Sequence, residues 1–323
     1  MKPPVNWLLD GTAFVRYRTL LDILAKPKDD ADVEVAYKQM LANFLVADLI
    51  AEVNDWDKQP ALTNHRNAVH HLHKLAFLAG LGVKKAKLKS AVDSILLHQS
   101  NEGWFQLQIA LPKTFGGNGR SAWTWMACDA PLILYSLARL GLGKDKRIKK
   151  AVQTLCSAIS ENGYRCFISP TLGKFRGPGR KADPCPYVNL IALRAFAQIP
   201  ELLDSSEART AAETLLHHWE TSRERKLYMF GMGRNFRKLK APRVWYDIVH
   251  VADTLSRFPF LKKDKRFREM LTLLETKADA DGKFTPESIW TKWKGWEFCQ
   301  KREPSRWLTL LIYRIFSRVA MTT

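Results

Sequence analysis

Cysteine, histidine and aspartate stand close together at several points of this chain. Cys128 precedes Asp129, Asp183-Pro184-Cys185 brackets a proline, Cys166 lies three residues after Gly163, Asp247 lies three before His250, and His70 and His71 are adjacent. Thiolate sulfur, imidazole nitrogen and carboxylate oxygen around a tetrahedral centre are the ligand set of Zn2+. A coordination position left open there would bind a nucleophile and lower its pKa. Each residue also has a plainer role open to it. A buried free cysteine packs as a small apolar residue, which is the reading for Cys156 on an outer helix. Asp183 can cap a helix whose first turn holds Pro184, and Asp129 can cap a helix starting at Ala130. His70, His71 and His73 can be polar residues on a half-exposed turn.

The elements that must position these residues form a repeat. Glycines followed by an aromatic recur in Glu102-Gly103-Trp104-Phe105, Asn162-Gly163-Tyr164 and Asp281-Gly282-Lys283-Phe284, 60 and 119 residues apart. The skipped copy is carried by Ala192-Leu193-Arg194-Ala195-Phe196-Ala197-Gln198-Ile199-Pro200, in which Ala197 lies 59 residues after Ala138. A fixed period of about 59 residues signals stacked supersecondary units. Each unit starts with a helix that is apolar nearly all round, such as 131–140 or 188–197. A short charged turn follows, such as Lys144-Asp145-Lys146-Arg147, and then an amphipathic helix, such as 148–159, with Ile148, Val152, Leu155 and Ile159 at helical spacing. Strand signals are almost absent, so the fold class is all-α. Apolar helices are expected over 5–25 and 305–319, and neither carries the polar face of a solenoid cap. Packing of these two on each other would close the array into a ring, a single domain over 1–323.

This pattern resembles the α/α toroid of squalene/hopene cyclases and protein prenyltransferase β subunits. Gln99-Ser100-Asn101-Glu102-Gly103-Trp104-Phe105 matches the turn that ends their repeats, while Gly163 and Gly282 keep the glycine and a nearby aromatic. The chain is closer to a single toroid than to a two-domain triterpene cyclase. The resemblance implies a closed double ring of helical hairpins with a ligand in its central funnel, at the end where the Gly-aromatic turns deliver the chain. Stepping by 59 and 58, position 130 maps to 189 and then to 247. The funnel mouth would then gather His70, His71, Cys128, Asp129, Cys166, Cys185, Asn189, Tyr246, Asp247 and His250. Prenyltransferase zinc is held by an Asp-x-Cys pair and a later histidine. Asp183-Pro184-Cys185 matches the pair; Asp247 stands at the histidine's place with His250 nearly a turn on, so either could be the third ligand. Trp125 and Trp245 would line the funnel, and Arg180, Lys181, Arg234, Arg237 and Arg243 would hold the phosphates of an isoprenoid-diphosphate-like ligand. A helical partner subunit is also conceivable.

Charge allows a second reading. Fifty-one Lys and Arg against 32 Asp and Glu give a net charge of +19, which favours anionic partners. Residues 223–243 hold eight basic residues and one acid, and Trp290-x-x-Trp293-x-x-Trp296 with Lys292 and Lys294 could stack nucleic-acid bases. The alternative function is therefore a nucleic-acid or acidic-partner binding module without catalysis. The Asp-x-Asp-Asp acid of class II cyclases is absent, the nearest string being Asp29-Asp30-Ala31-Asp32. The glycine-rich 115–121 segment lacks the lysine of a phosphate loop. Apolar stretches near the ends are too short to span a bilayer, and Met1-Lys2-Pro3-Pro4 lacks a secretion-signal core. A reducing cytoplasm is the expected compartment, which disfavours a Cys166–Cys185 disulfide.

Overall fold

Helices that are apolar on every side have to be buried, and those with one wet face have to cover them. A computed structural model describing residues 1–173, 183–224 and 230–320 has this division. Its helices are α1 (Val5–Leu9), α2 (Ala13–Asp22), α3 (Ala31–Ala42), α4 (Phe44–Asn54), α5 (His71–Leu81), α6 (Lys89–Leu97), α7 (Ala130–Leu137), α8 (Lys146–Ser157), α9 (Pro186–Phe196), α10 (Ser206–Glu220), α11 (Ile248–Leu255), α12 (Lys265–Glu275) and α13 (Arg306–Ala320). The all-α expectation holds, with one addition. A ribbon of two three-residue strands, β1 (Leu107–Ile109) and β2 (Ala122–Thr124), pairs antiparallel with Leu107 opposite Thr124. No helix among the described residues is long and apolar enough to cross a membrane.

The chain divides into two compact units, an inserted one (Ile50–Met232) and a terminal one (Met1–Leu49 with Gly233–Thr323). In the inserted unit α5, α7 and α9 lie side by side, with α8 packed on α7 and α10 on α9. Every residue of α7 and α9 is buried, whereas α8 buries only Ile148, Ala151 and Leu155. In the terminal unit α13 packs on α1, α2 and α11, and α12 packs on α11.

The two ends of the chain meet within the terminal unit. Arg306 Nε donates to the Trp7 carbonyl (2.9 Å) and the Tyr313 hydroxyl to the Lys2 carbonyl (3.0 Å). The single helix expected over 5–25 is instead broken between α1 and α2. A Cβ at Gly11 would come within 2.7 Å of Arg306 Cδ, so the break lets α13 approach.

The repeat is written in hydrogen bonds. Thr154 on α8 donates to the carbonyl of Glu102, and Thr214 on α10 donates to that of Asn162, so each hydroxyl fills the space beside Gly103 or Gly163. Both glycines have left-handed backbones (φ 113° and 93°). Gln99 Nε2 bonds the carbonyls of Gly103 (2.9 Å) and Arg147 (2.8 Å), tying one turn to the next outer helix. One copy later, Tyr164 N donates to Asn189 Oδ1 (3.0 Å) and Cys185 N to Tyr164 O (2.7 Å). The same two bonds recur 120 residues on, from Phe284 N to Thr309 Oγ1 (3.0 Å) and from Ser305 N to Phe284 O (2.9 Å). The charged turns repeat as well: Asp145 and Asp264 each cap the following helix and each ion-pair with an arginine, Arg147 or Arg266.

Candidate metal centre

Three short segments of the inserted unit place the thiols. Residues 164–168 form the middle one. On one side Ala127 N donates to Phe167 O (3.1 Å) and Met126 bridges Ile168; on the other, Arg165 bridges Pro184. Cys166 therefore sits between the segments that carry Cys128 and Cys185. A fourth segment, 60–70, is pinned by backbone bonds between Leu62 and β1. Two histidines of α5 and its cap hold it too: His70 Nε2 bonds the Pro60 carbonyl (3.2 Å) and His73 Nε2 the His65 carbonyl (2.7 Å).

That clamp sets His65 Nδ1 at 3.5 Å from Cys128 Sγ, which lies 3.6 Å from Asp129 Oδ2. The ligating atoms of His65, Cys128 and Asp129 all lie within 4.8 Å of one another, the one such group of three among the described residues. The His65 ring stacks on Tyr187 of α9, centroids 5.8 Å apart. Asp129 stands at the start of α7 without capping it, and its Oδ1 is buried with no hydrogen-bond partner.

Charge makes this cluster frustrated. Burial raises the Asp129 carboxyl to about 7. Burial, with Asp129 and Cys185 alongside, pushes the Cys128 thiol well up. Burial and Arg66 hold His65 down at about 4, so its imidazole is neutral and able to ligate. Two acidic groups side by side in a dry site cannot both ionise unless a cation is shared between them. The spacing fits one. Zinc bonds of about 2.3 Å to sulfur and 2.0–2.2 Å to nitrogen and oxygen at tetrahedral angles set the ligand atoms about 3.5–3.6 Å apart. The residues present fit a zinc-type ion held by His65 Nδ1, Cys128 Sγ and an Asp129 oxygen.

The expected residues are distributed unevenly around this centre. Cys128 and Asp129 belong to it, and Cys166 and Cys185 adjoin it, each close enough to Cys128 for their charges to interact. Asp183 does not join: it lines a separate small cleft with Pro184, Thr214, His217 and His218 of α10. Asn189 spends its amide on the Tyr164 turn and the Cys185 carbonyl, so it serves the backbone. His71 packs on Trp56 (6.4 Å), and Trp125 stacks on Trp104 (4.9 Å) beside Phe167.

The others belong to the terminal unit. Asp247 caps α11, its Oδ1 accepting from His250 N (2.9 Å), and His250 Nδ1 bonds the Trp245 carbonyl (2.8 Å). Tyr246 packs against Phe236 (5.2 Å). Arg234 is exposed and Arg237 half-buried. Arg243, expected on a phosphate, is instead paired with the buried carboxylate of Asp253, which also takes Arg318 (3.0 Å). Trp293 and Trp296 are buried in an aromatic core with Phe14, Phe298 and Trp307, which removes them as a stacking surface because no base could reach them. Arg180 and Lys181 lie outside the described residues.

His65 and Tyr187 were not legible as site residues. The one available signal for His65 was density, since four histidines (65, 70, 71 and 73) fall within nine residues. No protein-family model matches this chain, and no curated protein matches it.

Proposed function

We propose that this chain is an α/α-toroid protein with a zinc-type centre at His65, Cys128 and Asp129, and that it is a prenyltransferase-like enzyme or binder acting on a phosphorylated apolar ligand. The observation that carries the reading is the ligand spacing: 3.5 Å from nitrogen to sulfur and 3.6 Å from sulfur to oxygen, beside a buried carboxylate oxygen without a partner. Support for the toroid comes from the recurring turn bonds and from the row of buried helices α5, α7 and α9. Three protein ligands leave one position for a substrate atom, the arrangement of catalytic rather than structural zinc sites. Bound there, zinc would supply Lewis acidity; the chain's own part is to present neutral His65, to give up the Cys128 and Asp129 protons on loading, and to keep the site dry. Elemental analysis of untagged protein should find about one zinc per chain, with Cys128→Ser at ~0.1 or less. Binding of an isoprenoid diphosphate, followed by calorimetry, should require the loaded protein. Wild type purified and reconstituted without zinc uptake would end the reading.

A second reading has its own observation. Lys84, Lys85 and Lys87 on the turn after α5, and Lys144, Lys146 and Lys149 around the start of α8, are all exposed. Each turn follows a buried helix end, and α5 contacts residues 138–142, which lead into the second turn. Such a surface suits a polyphosphate backbone. It predicts retention of a short duplex that weakens steeply with salt and survives Cys128→Ser. No retention at low ionic strength would dismiss it.

A further inference from the structure

The thiol pair beside the centre is not part of the three-residue group, and its surroundings suit chemistry of its own. Cys166 and Cys185 are both free thiols. They come from neighbouring segments joined by the Arg165–Pro184 bridge and by the bond from Cys185 N to Tyr164 O. That antiparallel pairing sets Tyr164 opposite Cys185, so Cys166, two residues on, falls on the same face as Cys185 and diagonal to it. Cys185 is buried at the start of the eleven-residue helix α9, and Cys166 beside it is only half-buried. The remaining pair, Cys156 and Cys299, lacks this arrangement: Cys156 lies on α8, and Cys299 Sγ donates to the Trp290 carbonyl in the other unit (3.3 Å).

We propose that Cys166 and Cys185 are a peroxide-reactive dithiol that closes reversibly to a disulfide, with Cys185 as the attacking sulfur and Cys166 as the resolving one. Cys185 stands at the N-cap of α9, where the positive end of the helix favours its thiolate. The Cys185 thiolate attacks one oxygen of hydrogen peroxide; the O–O bond breaks, hydroxide leaves and a sulfenic acid remains. Cys166 sulfur then attacks Cys185 sulfur. The S–O bond breaks, the S–S bond forms, and the Cys166 proton leaves with the hydroxyl as water. Two thiols give up two electrons and one peroxide is reduced. A dithiol reductant reverses the change by exchange.

The test titrates the full-length protein with hydrogen peroxide in wild type and in the Cys128→Ser background, so that the result stands apart from the cation centre. Both should lose two thiols per chain. Trypsin should release peptides 166–174 and 182–194 as one disulfide-linked species, which dithiothreitol separates. Cys166→Ser, with an unchanged circular dichroism spectrum, should leave Cys185 trapped by dimedone as the sulfenic acid. Peptides 166–174 and 182–194 remaining fully alkylatable while Cys156 or Cys299 oxidises would overturn the proposal, as would a link from either cysteine to Cys128.

Discussion

His65 Nδ1 lies 3.5 Å from the sulfur of Cys128, a residue 63 positions further along the chain. The contact depends on His73, whose ring bonds the His65 carbonyl (2.7 Å) and so fixes where the loop presents its imidazole. His73→Ala should therefore weaken zinc binding by about 10–100-fold, the usual effect of losing a group that orients a ligand. Competition against a zinc indicator checks this, and an unchanged affinity would show that the loop holds its own shape.

Asp129→Asn should have opposite effects with and without metal. Its folded-state pKa is raised from 3.8 to about 7, so ionising it in the folded protein is costly, and that cost grows as pH rises from about 4 to 7. In chelator-treated protein at pH 8 the amide should add about 2–4 kcal/mol of stability, and at pH 4 little. With zinc present the variant should be the less stable one. Urea unfolding at both pH values, with and without zinc, separates these outcomes.

Acid sensitivity should follow the buried histidines. His70 is held at about 4 and His73 at about 3, mainly by burial, against an ordinary 6.5. Below pH 6.5 the unfolded chain takes up protons that the folded chain refuses, so their stability contribution is complete above 6.5 and is lost as pH falls toward 4. His70 also caps α5 by accepting from Leu72 N, a task asparagine performs equally well. His70→Asn should therefore lose about 2 kcal/mol less than wild type between pH 7 and pH 5, read as the difference in urea midpoints.

Gly163→Ala should be more damaging than an ordinary glycine replacement. The backbone there is left-handed, and an added Cβ would meet Thr214 Oγ1 at 2.2 Å and Asn189 Oδ1 at 2.7 Å. Losses of about 2–4 kcal/mol in thermal unfolding are expected. Pairing it with Thr214→Ser should not rescue it, because the Asn189 clash and the strained φ remain.

Asp253→Asn should destabilise the terminal unit by about 3–5 kcal/mol. Burial alone would raise this carboxyl, but Arg243, Arg318 and Arg257 hold it well below its ordinary range. Removing the charge strands buried guanidiniums. Thermal melts measure the loss, and Asp253→Glu should recover part of it.

Patterns local to the chain were determined by the sequence alone. The apolar runs at α7 and α9, the charged turns at Asp145 and Asp264 and the glycines at 103, 163 and 282 dictate helical hairpins of fixed period, because helix periodicity, capping and left-handed turns are read from near neighbours. Cys128, Asp129 and the nearness of Cys166 and Cys185 were legible for the same reason, each standing at a fixed place in its copy of the repeat. Tertiary structure decided the rest. His65 lies in a loop outside the repeat and reaches Cys128 only because His70, His73 and β1 hold that loop in place. Asp183 faces α10 instead of the thiols, Arg243 goes to Asp253, and Trp293 and Trp296 go to the core. Such choices rest on which distant side chain has an unmet charge or an unfilled space, and spacing along the chain carries no record of that.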